Sequence, residues 1–99
     1  MMKVTQEDLS VILSYVEYVV YGKRAQLKVQ ELTDYQIEEL KERIKEELEW
    51  EIEDLPDYVE QEACKIIKKK IARIWRAGRL YTALLEEEKR RQKERGVKA

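Results

Sequence analysis

The chain has 99 residues, 41% charged and 43% hydrophobic, and its twenty bases and twenty-one acids leave a net charge of −1. That length makes one domain with one small core, burying roughly 65% of the surface that an unfolded chain of this size exposes, and the hydrophobic share excludes a disordered chain. With no histidine and a single cysteine, Cys64, the composition excludes imidazole catalysis, an internal disulfide and a cysteine-rich zinc site.

The first element opens at TQED, residues 5–8. Thr5 is an N-cap, and Asp8 three residues on completes a capping box with an acid shorter than the usual Glu. Leu9, Ile12, Leu13, Val16, Val19 and Val20 then recur at helical spacing, while Val11, Tyr15 and Tyr18 form a second apolar arc. The β-branched and aromatic content also suits a strand. The cap, the length and the stop at Gly22 decide for a helix over about 5–21. A helix apolar on two sides is either central in the core or shared with a partner. Val11, Tyr15 and Tyr18 are therefore candidate interface residues, and a homodimer is the expected assembly. Residues 23–32, KRAQLKVQEL, alternate around Leu27 and Val29, as in an extended connection or a short strand near 25–31.

The second helix starts at a capping box of Thr33 and Gln36, with Asp34 in the first turn, where an acid complements the helix dipole. Ile37, Leu40, Ile44, Leu48, Ile52 and Leu55 follow at steps of three or four, which predicts a long helix over about 33–54. Trp50 lies off this stripe and is a fourth candidate interface residue. Pro56 disfavours helical geometry at Leu55 and suits the first turn of a following helix, so a break is expected there. A third helix over about 56–77 runs to Gly78, and a fourth segment over about 79–93 begins with Leu80, Tyr81, Leu84 and Leu85 before turning wholly polar, with 94–99 as a tail. The fold class is all-α: three main amphipathic helices and a C-terminal helical extension.

The near-zero net charge hides a strong polarity. Residues 31–62 hold fourteen acids and three bases, whereas residues 63–85 hold seven bases and no acid. At about 100° per residue, Val59, Ala63, Ile66, Ile67, Ile71, Ile74, Trp75 and Gly78 share one arc of the third helix, expected to face the core. Lys65, Lys68, Lys69, Arg73, Arg76 and Arg79 occupy the other, a candidate phosphate-binding surface. Lys70 falls inside the apolar arc, where its stem could lie along the core with its ammonium in water. Either the acidic second helix neutralises these bases within the fold, as in the ion-pair networks of heat-stable proteins, or they stay open to a phosphate backbone.

Enzyme chemistry is poorly supported. Cys64 sits at the edge of the apolar arc and is expected to be a buried small hydrophobe. Gly22, Gly78 and Gly96 are isolated, so no phosphate-cradling loop is present. Carboxylate pairs such as Glu38–Glu42 and Glu42–Glu46 could bind a hard cation, but in a helix this acidic such spacing is expected by chance. The expectation is a non-enzymatic protein with no cofactor, no metal and no small-molecule substrate. The most apolar stretch, VILSYVEYVVY, is 11 residues long and contains Glu17, too short and too polar to span a bilayer. The first ten residues carry acids where a signal sequence needs an apolar run, so a soluble, intracellular protein is expected.

A chain that begins MMKVTQEDLSVILSYVEYVVYGKR, contains IEELKERIKEELEWEIEDLPDYVEQEACKIIKKKIARIWRAGR and ends in EEEKRRQKERGVKA resembles the small proteins encoded by filamentous and rod-shaped DNA viruses of hyperthermophilic archaea. The likeness covers the whole length and lies in size and residue usage: abundant Glu, Lys and Arg, and no Asn. It implies an unusual helical fold, great resistance to heat and acid, a hot host cytoplasm with virion association as a second location, and DNA or a viral or host protein as partner. The family is regarded as of unknown function and has no set of functional residues to carry over. The leading expectation is thus an interaction protein, dimeric, acting in a viral life cycle. The alternative is sequence-independent nucleic-acid binding through the basic face of the third helix.

Overall fold

The computed structural model describes residues 4–23 and 28–96. Three helices, α1 (Gln6–Tyr21), α2 (Asp34–Glu60) and α3 (Cys64–Gly96), account for most of them, with a single 3₁₀ turn at Val29–Glu31. The all-α class holds, and no strand occurs among the described residues. Of the expected extended segment, 24–27 lies outside the described residues and 29–31 is the 3₁₀ turn.

Both capping boxes form as their sequences require. Thr5 Oγ1 accepts from the Asp8 amide at 3.0 Å, and Thr33 Oγ1 accepts from the Gln36 amide at 3.1 Å. The two boxes are also tied together, because Gln36 Nε2 donates to Asp8 Oδ1 at 2.8 Å. This bond sets the N-termini of α1 and α2 side by side. At its other end α1 stops at Gly22, whose left-handed φ of 69° lets its amide close onto the Tyr18 carbonyl.

The hairpin differs from expectation in three places. Pro56 does not end α2, which runs four residues further with Pro56 inside it. The ring removes one donor, leaving the Ile52 carbonyl without its helical partner, a loss that a 27-residue helix tolerates. The true stop is a Schellman closure: the Ala63 amide returns to the Tyr58 carbonyl at 3.1 Å and the Glu62 amide to the Val59 carbonyl at 3.1 Å. Glu62 takes the left-handed position at φ 54°, where glycine is usual. Finally, Gly78 does not divide the third helix from a fourth, and the expected tail at 94–96 is helical.

The end of α3 is wholly polar, yet it is not loose. Instead it is pinned to the start of α2. Arg91 reaches Asp34 Oδ1 at 2.7 Å and the Leu32 carbonyl at 2.6 Å, Arg95 reaches Asp34 Oδ2 at 2.7 Å, and Lys41 pairs with Glu88 at 2.8 Å. One hydrophobic cluster lies between the helices, with Ile12, Val19, Ile37, Leu40, Leu80 and Leu84 at its centre. Full burial of each such side chain stabilises the fold by about 1.5–3 kcal/mol. The helix α1 covers only part of the longer hairpin, and the molecule measures 54 × 31 × 27 Å.

Candidate functional site: the outer face of helix α3

The orientation of α3 decides what the protein offers to a partner. Its buried positions are Lys70, Ala77, Leu80, Leu84 and Glu87. Helical register then places Ile71, Trp75 and Thr82 on the side opposite Ala77, Leu80 and Leu84. Trp75 is 61% exposed and Ile71 54%, although both belong to the arc expected to face the core. Ile66 and Val59, of the same arc, are also exposed, and only Ile67, Ile74, Ala63 and Gly78 are half-buried. The apolar arc of the first half of α3 is rotated roughly 100° from the core-facing stripe of the second half. The core is set by the second half, where α1 and α2 both pack, so the first half carries its isoleucines and tryptophan outward.

The same rotation turns three bases inward. Lys70 is buried, with Nζ 2.9 Å from Glu51 Oε2, 3.9 Å from Asp54 and 5.0 Å from the Tyr58 ring. Its ammonium does not reach water, as its place in the apolar arc had suggested; it ends on a buried carboxylate. Arg76 donates from Nε to the Val19 carbonyl at 3.0 Å, and Arg73 donates to the Val20 carbonyl at 3.3 Å while meeting Glu51 at 3.5 Å. These carbonyls are among the last of α1, which has no basic residue in its own final turn. The two arginines of α3 supply the cations that this negative helix end favours. Arg73 and Arg76 are therefore occupied within the fold.

Of the six candidate phosphate contacts, Lys65, Lys68, Lys69 and Arg79 remain exposed and make no ion pair among the described residues. Arg79 lies over the Trp75 ring at 5.6 Å. Of the six, the acidic helix α2 pairs with Arg73 alone, the carbonyls of α1 hold Arg76, and the other four stay in solvent. A shallow groove runs along this outer face, lined by Ile74, Trp75, Gly78, Arg79, Thr82, Ala83 and Glu86.

The four candidate interface residues separate. Tyr15 and Tyr18, expected to lie outside the core as interface anchors, are buried in it at 7% and 8% exposure, and Val11 packs against the same cluster. The second arc of α1 is thus part of the chain's own core cluster. Burial pushes the Tyr15 hydroxyl above the usual tyrosine range. Trp50 stays 68% exposed, at the rim of a cleft of about 180 Å³ lined by Val16, Val19, Val20, Ile44 and Glu47. Burial and the neighbouring Glu51 carboxylate push the Glu47 carboxyl up.

Cys64, expected to be buried, is exposed at the first position of α3. Among the described residues, no group of three or more His, Cys, Asp or Glu side chains is placed to hold a metal ion. No helix is long and apolar enough to cross a membrane, among the same residues. Comparison with protein-family models, with characterised proteins and with solved structures found no match.

Proposed function

We propose that this chain is a non-enzymatic interaction protein that binds a protein partner through the outer face of α3. One observation carries the reading: a helix with Ala77, Leu80 and Leu84 fully buried on one side presents Ile71 and Trp75, each more than half exposed, on the other. A large solvent-facing tryptophan beside an isoleucine on a rigid helix is the composition of an interface anchor. The setting we infer, a virus of a hyperthermophilic archaeon, rests on residue usage alone. Replacing Trp75 by Ala tests the reading. The variant should keep its helical circular dichroism and lose association with any partner that the unaltered chain retains; unchanged association would exclude this face.

A second reading has its own support. Lys65, Lys68 and Lys69 lie on the exposed side of α3 near the hairpin turn, unpaired among the described residues, as a phosphate-binding strip requires. Three to four phosphate contacts give a slope of roughly −3 to −4 in log affinity against log salt on duplex DNA. Triple reversal of these lysines to Glu should abolish that binding, whereas a Trp75 variant should retain most of it. Absence of binding to duplex and single-stranded DNA at low salt would end this reading.

A further inference from the structure

The outer face of α3 carries a seven-residue repeat. Lys68, Ile71, Trp75, Gly78, Thr82 and Leu85 follow at steps of three, four, three, four and three, which is the seam of a two-helix coiled coil. None of the six is fully buried by the protein's own helices. We propose that this seam binds a second copy of the same seam, antiparallel, about a two-fold axis between Arg76 and Ala77. The proposal rests on the reading that the outer face of α3 is an interaction surface, and it names the partner.

Three features favour a second copy over an unrelated helix. Antiparallel pairing about that axis sets each residue opposite the one whose number completes the same sum. Trp75 then meets Gly78 of the second copy, and Ile71 meets Thr82. Each large side chain faces a small one, twice over, as an isologous interface needs. The glycine is the second feature. Gly78 sits inside a 33-residue helix, where glycine is the least favourable residue after proline. It does not use the left-handed conformation, and a Cβ built there would meet no atom within 4 Å. Nothing in its own chain requires a glycine at this site, but a tryptophan pressed onto the helix surface does. The third is charge. Lys68 comes opposite Leu85 with Glu86 beside it, so its stem covers the leucine while its ammonium reaches that carboxylate. The pair occurs on both sides of the axis.

Sedimentation equilibrium, with the Cys64 thiol as a register probe, tests this. The unaltered chain should sediment as a dimer, Trp75→Ala and Gly78→Leu as monomers with unchanged helical circular dichroism. Lys68→Glu should weaken the dimer at least tenfold, and Lys68→Glu with Glu86→Lys should restore it. Cys64 and Lys89 lie about 37 Å apart within one helix, beyond a short cross-linker, but the antiparallel seam sets Cys64 beside Lys89 of the second copy. A maleimide–succinimide reagent should therefore join two chains at these residues. A Cys64–Cys64 disulfide in the dimer would mean a parallel pair and overturn the proposal. A monomer at concentrations up to about a millimolar would also overturn it, while leaving the face free to bind another protein. A dimer indifferent to Trp75→Ala and Gly78→Leu would overturn this pairing, because the two copies would then meet through another face.

Discussion

Lys70 Nζ lies 2.9 Å from Glu51 Oε2 in a site where the two side chains are 8% and 10% exposed. This pair holds the two longest helices in register at a level where the apolar core has nearly ended. A buried pair adds little net stability over two well-packed apolar side chains, but removing one partner strands the other charge. Lys70→Ala should thus destabilise the protein by about 3 kcal/mol, the low end for such a break, because Arg73 still meets Glu51 at 3.5 Å. Lys70→Met combined with Glu51→Leu should lie within about 1 kcal/mol of the unaltered chain. Chemical denaturation of both variants decides it. Equal losses in the single and double variants would show that the pair is solvated and not buried.

The end of α1 depends on an arginine 57 positions away in sequence. Arg76 Nε reaches the Val19 carbonyl at 3.0 Å, and a Cβ at Gly22 would meet the Arg76 guanidinium at 3.3 Å. Arg76→Ala should cost about 1–2 kcal/mol through the lost hydrogen bond and the lost helix-end cation. In a domain of this size that lowers the melting temperature by roughly 4–16 °C. Arg76→Lys should recover part of this, since a single ammonium keeps the charge but not the fork that reaches both the Val19 carbonyl and, at 3.5 Å, the Val20 carbonyl. A melting temperature unchanged in Arg76→Ala would show that water caps α1 equally well.

What could be read in advance was local. Thr5 with Asp8 and Thr33 with Gln36 are complete within four residues, and both helix starts follow from them. The stripe Ile37, Leu40 and Ile44 was legible for the same reason, since one face of one helix carries it. The stops were less legible because residue type misleads there: Pro56 and Gly78 look like breaks and lie inside helices, whereas Glu62 makes the turn. The facing of α3 was illegible from α3 alone. Its first half has the stronger apolar arc, but burial is decided where α1 and α2 both pack, around Ala77, Leu80 and Leu84. Within that arc it is Lys70 that is buried, against Glu51, while Ile71 and Trp75 are exposed, so residue type misleads there too. The same effect moved Tyr15 and Tyr18 inward and Trp75 outward.

The response to acid follows from carboxylates gripped by arginines. Hydrogen bonds from Arg90 and Arg91 hold the Glu87 carboxyl down to about 2, and those from Arg91 and Arg95 hold Asp34 below the usual aspartate range. Asp8 is lowered in the same way by Gln36 and Thr5. Each of these groups is ionised in the fold at a pH where the unfolded chain has begun to take up protons. Their stabilisation is complete above the unfolded values of 4.5 and 3.8 and is lost as pH falls, for Glu87 through about 2. Glu47 has the opposite sign: its raised carboxyl favours the folded state once protonated, and offsets part of the loss. Calorimetry should show a melting temperature that is flat between about pH 6 and 8, where no histidine titrates, and that declines between about pH 4.5 and 2. Glu87→Gln should lower the neutral plateau and flatten the decline. An identical acid limb in that variant would assign it to other carboxylates.

The turn between α2 and α3 carries strain that one substitution can remove. Glu62 occupies the left-handed position of the Schellman closure at φ 54°, where a side chain costs about 1–2 kcal/mol, and its carboxylate adds negative charge to the negative end of α2. Glu62→Gly relieves both, while giving back some stability through the greater freedom of the unfolded chain. The net expectation is a gain of about 0.5–1 kcal/mol. Glu62→Ala is the control, because it removes the charge and keeps the strained backbone. If the two variants melt together, the gain is electrostatic and the left-handed residue costs nothing here. If only the glycine variant gains, the closure is strained as its geometry indicates.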